Sequence, residues 1–561
     1  MSEAFRRSHP ALLGAIAGVA FGNVLLALNP HLLAPVLALR LLAGCGLAGA
    51  LVLSPLGVLV KKPGVPSSGF WGAAALLLVL LAAFAEEQRQ IFFAYLGNDT
   101  RRLLVGVSVA GTVSALALLV AARSRPRGQR ATAFLLCPLA LLSAVPVLGR
   151  RVPERSPLAT PQAIPRTATR SLLVVGLEGV SWELLSRAVS EGSLPVFARL
   201  LEEGAGGPLG TLSPNDRAAL WTTAATGKLP RKHGVVSGEP VRTPLGVLLL
   251  RPQLPGLAGP LRFPFARPLP AHRPDRRSLA FWEILAERRH EAAVLDWPAS
   301  EPPREGLVLW ATEAFFAGEA PEGSALPPSA AARVRLLLLG AANLDRSLAR
   351  ALEPAVLPVE ELRRARSADG AARDLGIVGA TLAALPTGPG SVSALVLSGL
   401  AGPARVWGPA AETRRYFGPP RRDVEAAEKA LLAYYRFLDD TLGDLLEREG
   451  RDRTLCVFSP SGFGPGPPLS ALIDFLRGRA PVASPDAGDD GFLVLWGSGI
   501  RANARLTSAE VIDLAPTFLV LAGEPIARDM DGRVLAEAFD ERFTQGTSIP
   551  VVTTFEPGGP Q

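Results

Sequence analysis

The chain has 561 residues, 48% of them hydrophobic, with a formal net charge of +7 at pH 7. The positive overall hydropathy points to membrane segments. The basic balance comes from scattered Arg with no Lys/Arg stripe interleaved with aromatics, so nucleic-acid binding is unsupported. Cys45 and Cys137 fall in apolar runs and Cys456 in a predicted strand. No CxxC occurs, so neither a disulfide framework nor a thiolate zinc site is indicated.

Five apolar runs open the chain, at about 11–28, 36–60, 69–85, 103–122 and 131–148, each near the ~20 residues that cross a bilayer. Residues 1–150 are therefore expected to form an all-α transmembrane bundle of about five helices in contact with the lipid bilayer. Arg6–Arg7, Lys61–Lys62 and the Arg-rich stretch Arg123–Arg130 alternate with weakly charged or balanced loops. The positive-inside rule puts those three segments, and the N-terminus, in the cytoplasm. Five spans then make the protein a multi-pass cell-membrane protein with everything after residue 150 extracytoplasmic. Four spans plus one interfacial helix would leave that part cytoplasmic. No span carries a buried Asp or Glu pair, so anchoring explains these runs better than transport. Residues 151–170 are Pro-, Ser- and Thr-rich and read as a linker.

Strands and helices alternate from there on. Leu172–Gly176 is an apolar strand ending in an acidic turn, Leu177–Gly179, and Trp182–Gly192 and Leu194–Gly204 have helical spacing. Another helix starts after Ser213-Pro-Asn-Asp216, capped by Asn215 or Asp216. Glu239–Pro274 is Pro-rich and reads as a surface excursion without core strands. Leu279–Arg289 is expected to be a helix, Ala292–Trp297 a strand, Ala330–Leu385 helical and Ala394–Leu397 a strand. Val424–Glu449 is an amphipathic helix, Leu455–Ser459 and Phe492–Trp496 are strands, and Ser508–Ala522 is a closing helix. This alternation predicts an α/β domain at 171–540 with a mainly parallel sheet flanked by helices, and a tail at 541–561.

An acid at the carboxyl tip of an apolar strand is a usual place for chemistry in such a sheet, and here it is Glu178. With its GLEG turn, the phrase LWTTAATGKLPRKHG at Leu220–Gly234, FWEIL at Phe281–Leu285 and DMDGRVL at Asp529–Leu535, the chain resembles the type I phosphodiesterase/nucleotide pyrophosphatase branch of the alkaline phosphatase superfamily. The resemblance implies an alkaline-phosphatase-like fold and, in working members, two divalent metals around a Thr or Ser nucleophile.

The same resemblance assigns positions in this sequence. The first metal-binding Asp corresponds to Glu178, and the nucleophile, ten residues before Gly227, to Arg217. A DxxxH pair corresponds to Ala401 and Arg405, the Asp and His of an SDHGF turn to Pro460 and Ser461, and a last His to Ala487. A YxxxDxxxG helix keeps Tyr435, Asp439 and Gly443. His233 belongs to the TGKLPRKHG phrase and not to a ligand position. Glu178 and Asp439 are then the remnant ligands, too few for a two-zinc site. One or both of Arg217 and Arg405 are expected to pair with these acids in place of the cations. The other reading leaves Arg217 in solvent and Asp439 a surface acid. Asp440 and Asp444 are read as solvent-facing.

The expected pocket is Glu178, Arg217, Arg405, Asp439 and Ser461, with no cofactor and no confident catalytic or metal residue. The expected function is that of a metal-free pseudoenzyme that binds an anionic, phosphate-bearing envelope ligand or scaffolds another membrane protein. The competing expectation is an active phosphoester or phosphodiester hydrolase dependent on zinc or another divalent metal.

Overall fold

The computed structural model describes residues 3–55, 67–123, 170–238, 240–252, 267–269, 276–317, 322–341, 367–384, 386, 388–404, 421–449, 453–462, 490–541 and 549–556. The chain divides into two compact units. The first holds Met1–Arg155, Glu239–Leu254 and Pro260–Pro270, and the second Ser156–Gly238, Pro255–Gly259 and Ala271–Gln561.

Four helices form most of the first unit: α1 (Glu3–Leu28), α2 (Pro35–Leu53), α3 (Ser67–Ile91) and α4 (Asn98–Arg123). Small residues let α1 and α2 touch backbone to backbone. A Cβ on Gly14 would lie 2.0 Å from Gly49 O, and one on Gly18 2.0 Å from Cys45 O. Such glycine stripes let two helix backbones approach closely, where any side chain would hold them apart. Ser108 Oγ of α4 donates to Ala82 O of α3 at 3.0 Å.

Among the described residues, α2 is the one helix long and apolar enough by length and composition to cross a membrane, and only 17% of that stretch is buried. The apolar run 131–148 lies outside the described residues. The Pro-rich excursion does carry strands. Val241–Thr243, Gly246–Leu248 and Arg267–Pro268 make a small antiparallel sheet within the first unit.

The second unit is built on a ten-stranded sheet. In chain order its strands are β1 (Ser171–Leu177), β2 (Ala205–Gly210), β3 (Ala292–Leu295), β4 (Leu309–Ala311), β5 (Ala325–Leu326), β6 (Val392–Leu397), β7 (Arg453–Ser459), β8 (Gly491–Trp496), β9 (Ala504–Arg505) and β10 (Ala509–Glu510). They lie side by side as β9-β2-β8-β7-β1-β6-β3-β4-β5, with β10 also pairing with β2. β7, β1, β6, β3 and β4 run parallel, whereas β8 is antiparallel to both β7 and β2, and β5 to β4. The register sets Val174 beside both Cys456 and Ala394. The sheet is mixed and mostly parallel, with helices on both faces.

The chain's helices here are α5 (Trp182–Ser190), α6 (Pro195–Glu203), α7 (Arg217–Thr226), α8 (Pro230–His233), α9 (Phe281–Glu287), α10 (Glu313–Phe316), α11 (Pro328–Ala341), α12 (Ser367–Ala384), α13 (Arg421–Glu449) and α14 (Leu514–Leu521). Because side chains alternate along a strand, β1 feeds two cores. Leu173, Val175 and Leu177 pack with α5, α6, α12 and α13, while Leu172 and Val174 pack with Trp221 of α7, Trp282 of α9 and Phe518 of α14. Burial on both faces explains why the central strands read as continuous apolar runs. The closing helix is shorter than expected. Ala509–Glu510 pairs with β2 instead, a 3-10 turn follows at Val511–Asp513, and α14 starts only at Leu514.

Candidate functional site

The turn after β1 places Glu178 at the carboxyl edge of the sheet. Its N–H donates to Leu397 O at 3.0 Å, one step beyond the β1–β6 ladder. Gly179 then adopts φ 88°, and a Cβ there would lie 3.1 Å from Ala404 Cβ and 3.3 Å from Ala401 Cα. A left-handed backbone in so narrow a space calls for glycine. Ala401, at a position the resemblance gives to a ligand, thus packs on the turn and brings no donor.

Arg217 is the first residue of α7. Asp216 is the cap: Oδ1 accepts the Ala219 N–H at 3.0 Å, and Oδ2 accepts the Gly238 N–H at 2.9 Å. From there the guanidinium forks onto Glu178, Nε to Oε1 at 2.5 Å and Nη2 to Oε2 at 2.7 Å. Nη2 also reaches Glu313 Oε1, at 2.7 Å, on the first residue of α10. The Arg217 side chain keeps 40% of its surface exposed, against 16% for Glu178 and 27% for Glu313. Burial opposes its charge, but the Glu178 and Glu313 carboxylates outweigh that and hold it protonated well above the usual guanidinium range.

A more deeply buried set of polar groups adjoins this triad. Asp296, at the tip of β3, is fully buried with φ 57°. It accepts from Arg373 Nη2 at 2.5 Å and from Ser398 Oγ at 3.3 Å. Burial pushes its carboxyl well above the carboxylate range; Arg373 pulls it down and Glu313 adds to the push. Asp374 accepts the Gly399 N–H at 3.1 Å and the Tyr434 hydroxyl at 3.0 Å. Burial raises it to about 7, opposed by those two hydrogen bonds. Glu178, Asp296, Glu313 and Ser398 all follow the carboxyl ends of parallel strands, where open α/β sheets gather functional groups.

The other expected pocket residues are distributed differently. Asp439 does not meet Arg217. Its Oδ2 accepts the Val196 N–H at 3.0 Å and its Oδ1 the Phe197 N–H at 2.8 Å, so it caps α6 from α13. Helix α6 begins after Leu194, which offers no side-chain cap, and the exposed amides of its first turn are what draw the carboxylate. One turn away, Tyr435 Oη accepts the Ser181 N–H at 3.0 Å, and a Cβ on Gly443 would lie 3.2 Å from Val196. The Tyr435, Asp439 and Gly443 stripe therefore positions the starts of α5 and α6. Asp440 and Asp444 are exposed. Ser461 follows β7, and its carbonyl accepts from Ser459 Oγ at 2.8 Å. Arg405 and Ala487 lie outside the described residues.

Among the described residues, the side chains at the positions the resemblance gives to metal ligands do not fit a pair of divalent ions. Both oxygens of Glu178 are taken by Arg217 and both of Asp439 by backbone amides. Ala401, Pro460 and Ser461 supply neither carboxylate nor imidazole. Among the described residues no group of three or more His, Cys, Asp or Glu could hold a metal.

The phrase that follows α7 is structural. Gly227 O accepts the Asp531 N–H at 2.9 Å, Lys228 Nζ bonds Asp529 Oδ2 at 2.7 Å and Glu556 Oε1 at 2.9 Å, and the Leu229 N–H bonds Asp531 Oδ2 at 2.9 Å. The TGKLPRKHG and DMDGRVL phrases are thus two halves of one contact. His233 is fully buried, and its Nδ1 accepts the Val235 N–H at 3.2 Å, which leaves Nε2 to donate to Thr223 Oγ1 at 3.0 Å. Burial lowers it to about 3, with Arg276 adding to the fall, so it stays neutral.

Sequence reasoning missed Asp296, Glu313, Arg373 and Asp374. Asp296 ends a strand that was recognised, so the rule that found Glu178 applied to it equally. Glu313 follows β4, a three-residue strand with no alternation to reveal it.

A sequence model described as type I phosphodiesterase / nucleotide pyrophosphatase matches residues 172–477, and the chain belongs to that family. Among solved structures it is similar to the phosphonate monoester hydrolase of Silicibacter pomeroyi, at 13% identity over 65% of this chain and 76% of that one, TM-score 0.39. It is also similar to the wild-type alkaline phosphatase PafA (12% identity, 68% and 100% of the chains, TM-score 0.43). A third similar structure is an inactive murine ectonucleotide pyrophosphatase/phosphodiesterase 5 in complex with AMP (10%, 63% and 95%, TM-score 0.34). No curated protein matches the sequence at a significant level.

Proposed function

We propose that this chain is a membrane-anchored member of the family whose pocket works without metal ions and without the family's hydrolysis, as a binding or scaffolding domain of the cell envelope. The observation that carries the reading is the guanidinium of Arg217, set where the resemblance calls for a hydroxyl nucleophile and clamped by Glu178 and Glu313. A fixed positive charge among the acids does what a cation would do for their mutual repulsion, but it activates no water and offers no open coordination position. Nη1 of Arg217 is used by neither carboxylate and the side chain is 40% exposed, so a phosphate-bearing envelope ligand or an acidic group on a membrane partner can be received there.

The membrane part of the reading draws on the outward apolar faces of the helices. Leu39 is 69% exposed on α2, Leu76 61% on α3 and Val109 57% on α4, which in water would be a large unsatisfied patch. The basic segments Arg6–Arg7, Lys61–Lys62 and Arg123–Arg130 set the N-terminus in the cytoplasm and the phosphodiesterase-type domain outside it.

The test uses full-length protein purified in detergent and assayed with an aryl phosphate and an aryl phosphodiester, with and without chelator. No chelator-sensitive turnover is expected. Turnover that chelator abolishes and zinc restores would establish a working hydrolase instead.

A further inference from the structure

A second guanidinium stands at the same edge of the sheet as Arg217. Arg373, on α12, bonds Asp296 through Nη2 at 2.5 Å, and its charge is also raised by Glu313, the acid that Arg217 Nη2 holds at 2.7 Å. The two arginines are bound differently. Arg217 makes three contacts to two carboxylates. Arg373 makes its single side-chain bond through Nη2, while its Nε is buried and meets no acceptor among the described residues. Exposure also differs through the cluster. Asp296 is fully buried and the Glu178 side chain is 16% exposed, against 27% for Arg373 and 40% for Arg217. The buried end is thus acidic, and the most open member is a guanidinium.

Helix α12 is fixed where it meets these groups. Asp374, next to Arg373, accepts the Gly399 N–H at 3.1 Å and the Tyr434 hydroxyl at 3.0 Å. The helix and the turn after β6 touch backbone to backbone: a Cβ on Gly370 would lie 2.6 Å from Gly399 O, and one on Gly399 2.1 Å from Tyr434 Oη. Arg373 therefore extends from a firm base beside Ser398, and its long side chain is the part that can change partner.

We propose that Arg373 joins Arg217 to form one anion seat, and that this seat takes a terminal phosphate, the dianionic end of a phosphate monoester. The proposal deepens the binding reading above and rests on it.

An anion beside buried acids needs donors that those acids do not already use. Nη1 of Arg217, and Nε and Nη1 of Arg373, carry hydrogens that neither Glu178, Glu313 nor Asp296 takes. They belong to two separate guanidinium planes. A tetrahedral terminal phosphate has three free oxygens and can meet two planes at once, whereas a diester has two free oxygens and a carboxylate has its two in one plane. Asp296 is able to release Arg373. The charged and hydroxyl groups that face it are Arg373, Glu313, Arg217 and Ser398. Burial pushes its carboxyl well above the carboxylate range, against the pull of Arg373. When the guanidinium turns to a ligand, Asp296 takes a proton, and no bare charge is left inside.

The test titrates full-length protein in detergent by calorimetry, with chelator present. The probes are phenyl phosphate, the diester methyl phenyl phosphate, and phosphatidic acid in mixed micelles. The monoester is expected to bind about tenfold more tightly than the diester. Equal or reversed affinities, or no binding of any probe, overturn the terminal-phosphate class. Within that class, tighter binding of phosphatidic acid than of phenyl phosphate assigns a lipid source, and equal binding a soluble one. Arg373→Gln is expected to weaken phenyl phosphate about tenfold, and Arg373→Lys, which keeps the charge, by less. Asp296 has φ 57°, a conformation that Asn adopts readily. Asp296→Asn is expected to tighten binding about threefold by freeing Arg373, a gain that loss of a purely structural bond would not give. It also keeps the test open if Arg373→Gln fails to accumulate. Weakening in Asp296→Asn overturns the proposal. Wild-type affinity in Arg373→Gln with loss in Arg217→Gln would remove Arg373 from the site and leave the binding reading of Arg217 in place.

Discussion

Arg217 carries the argument at the scale of single residues. Its fork on Glu178 uses the planar geometry that Lys lacks, so Arg217→Lys should not substitute for it. The two carboxylates are mostly buried while the guanidinium is 40% exposed, so the pair lies between a surface bridge and a buried one. A double-mutant cycle with Arg217→Gln and Glu178→Gln should give a coupling of about 1–3 kcal/mol in chemical denaturation; a coupling near zero would mean that the pair is not formed. Asp374 makes a prediction in pH. The unfolded carboxyl ionises near its ordinary value, whereas the folded one keeps its proton up to about 7. Between about pH 4 and 7 the folded state binds more protons, so this residue's contribution to stability falls as pH rises, by about 1.4 kcal/mol per unit, and levels off above. The stability difference between wild type and Asp374→Asn should therefore shift in favour of the variant across that window, as read from melting curves. Glu178 and Arg217 were legible in the sequence because a strand tip and a helix start are local features. Glu313 was not, because only the order of strands brings β4's end to the same edge.

At the scale of elements, Asp439 shows how a phrase that resembles a family's site can serve structure. The acid on α13 was read as a remnant metal ligand, yet its partners are the first amides of α6. Asp439→Ala should cost about 1–2 kcal/mol by leaving those amides without a cap, and it should leave the metal content of the protein unchanged. A fall in bound metal in that variant would return Asp439 to the pocket. The long apolar strands were recognised from composition, with ends shifted by one or two residues, because both of their faces are buried. Strand β2 was not, since AGGPLG has neither alternation nor β-branched residues. Its glycines answer to tertiary crowding instead: a Cβ on Gly207 would lie 2.0 Å from Leu506 O, the backbone of the segment that joins β9 to β10. The excursion at Glu239–Pro274 was expected to lack core strands and contributes none to the large sheet, but its short strands pair with one another, and Leu249 and Leu250 just beyond them bond Asn29 within the first unit.

For the whole molecule, the alternation of strands and helices and four separated phrases were enough to indicate the architecture of the second unit and its family. Two of those phrases prove to be a single contact through Gly227, Lys228, Leu229, Asp529 and Asp531. The first unit was legible as apolar helices but not in its packing, because the glycine stripe of α1 has meaning only once Gly49 and Cys45 are opposite it. What joins these scales is the proposed exchange of bound cations for a side-chain guanidinium. The most direct measurement is the zinc content of the purified full-length chain after dialysis against excess zinc and then metal-free buffer. Far less than one equivalent per chain is the result expected of a pocket already filled by Arg217; one or two equivalents, retained and lost on replacing Glu178 with Ala, would contradict it.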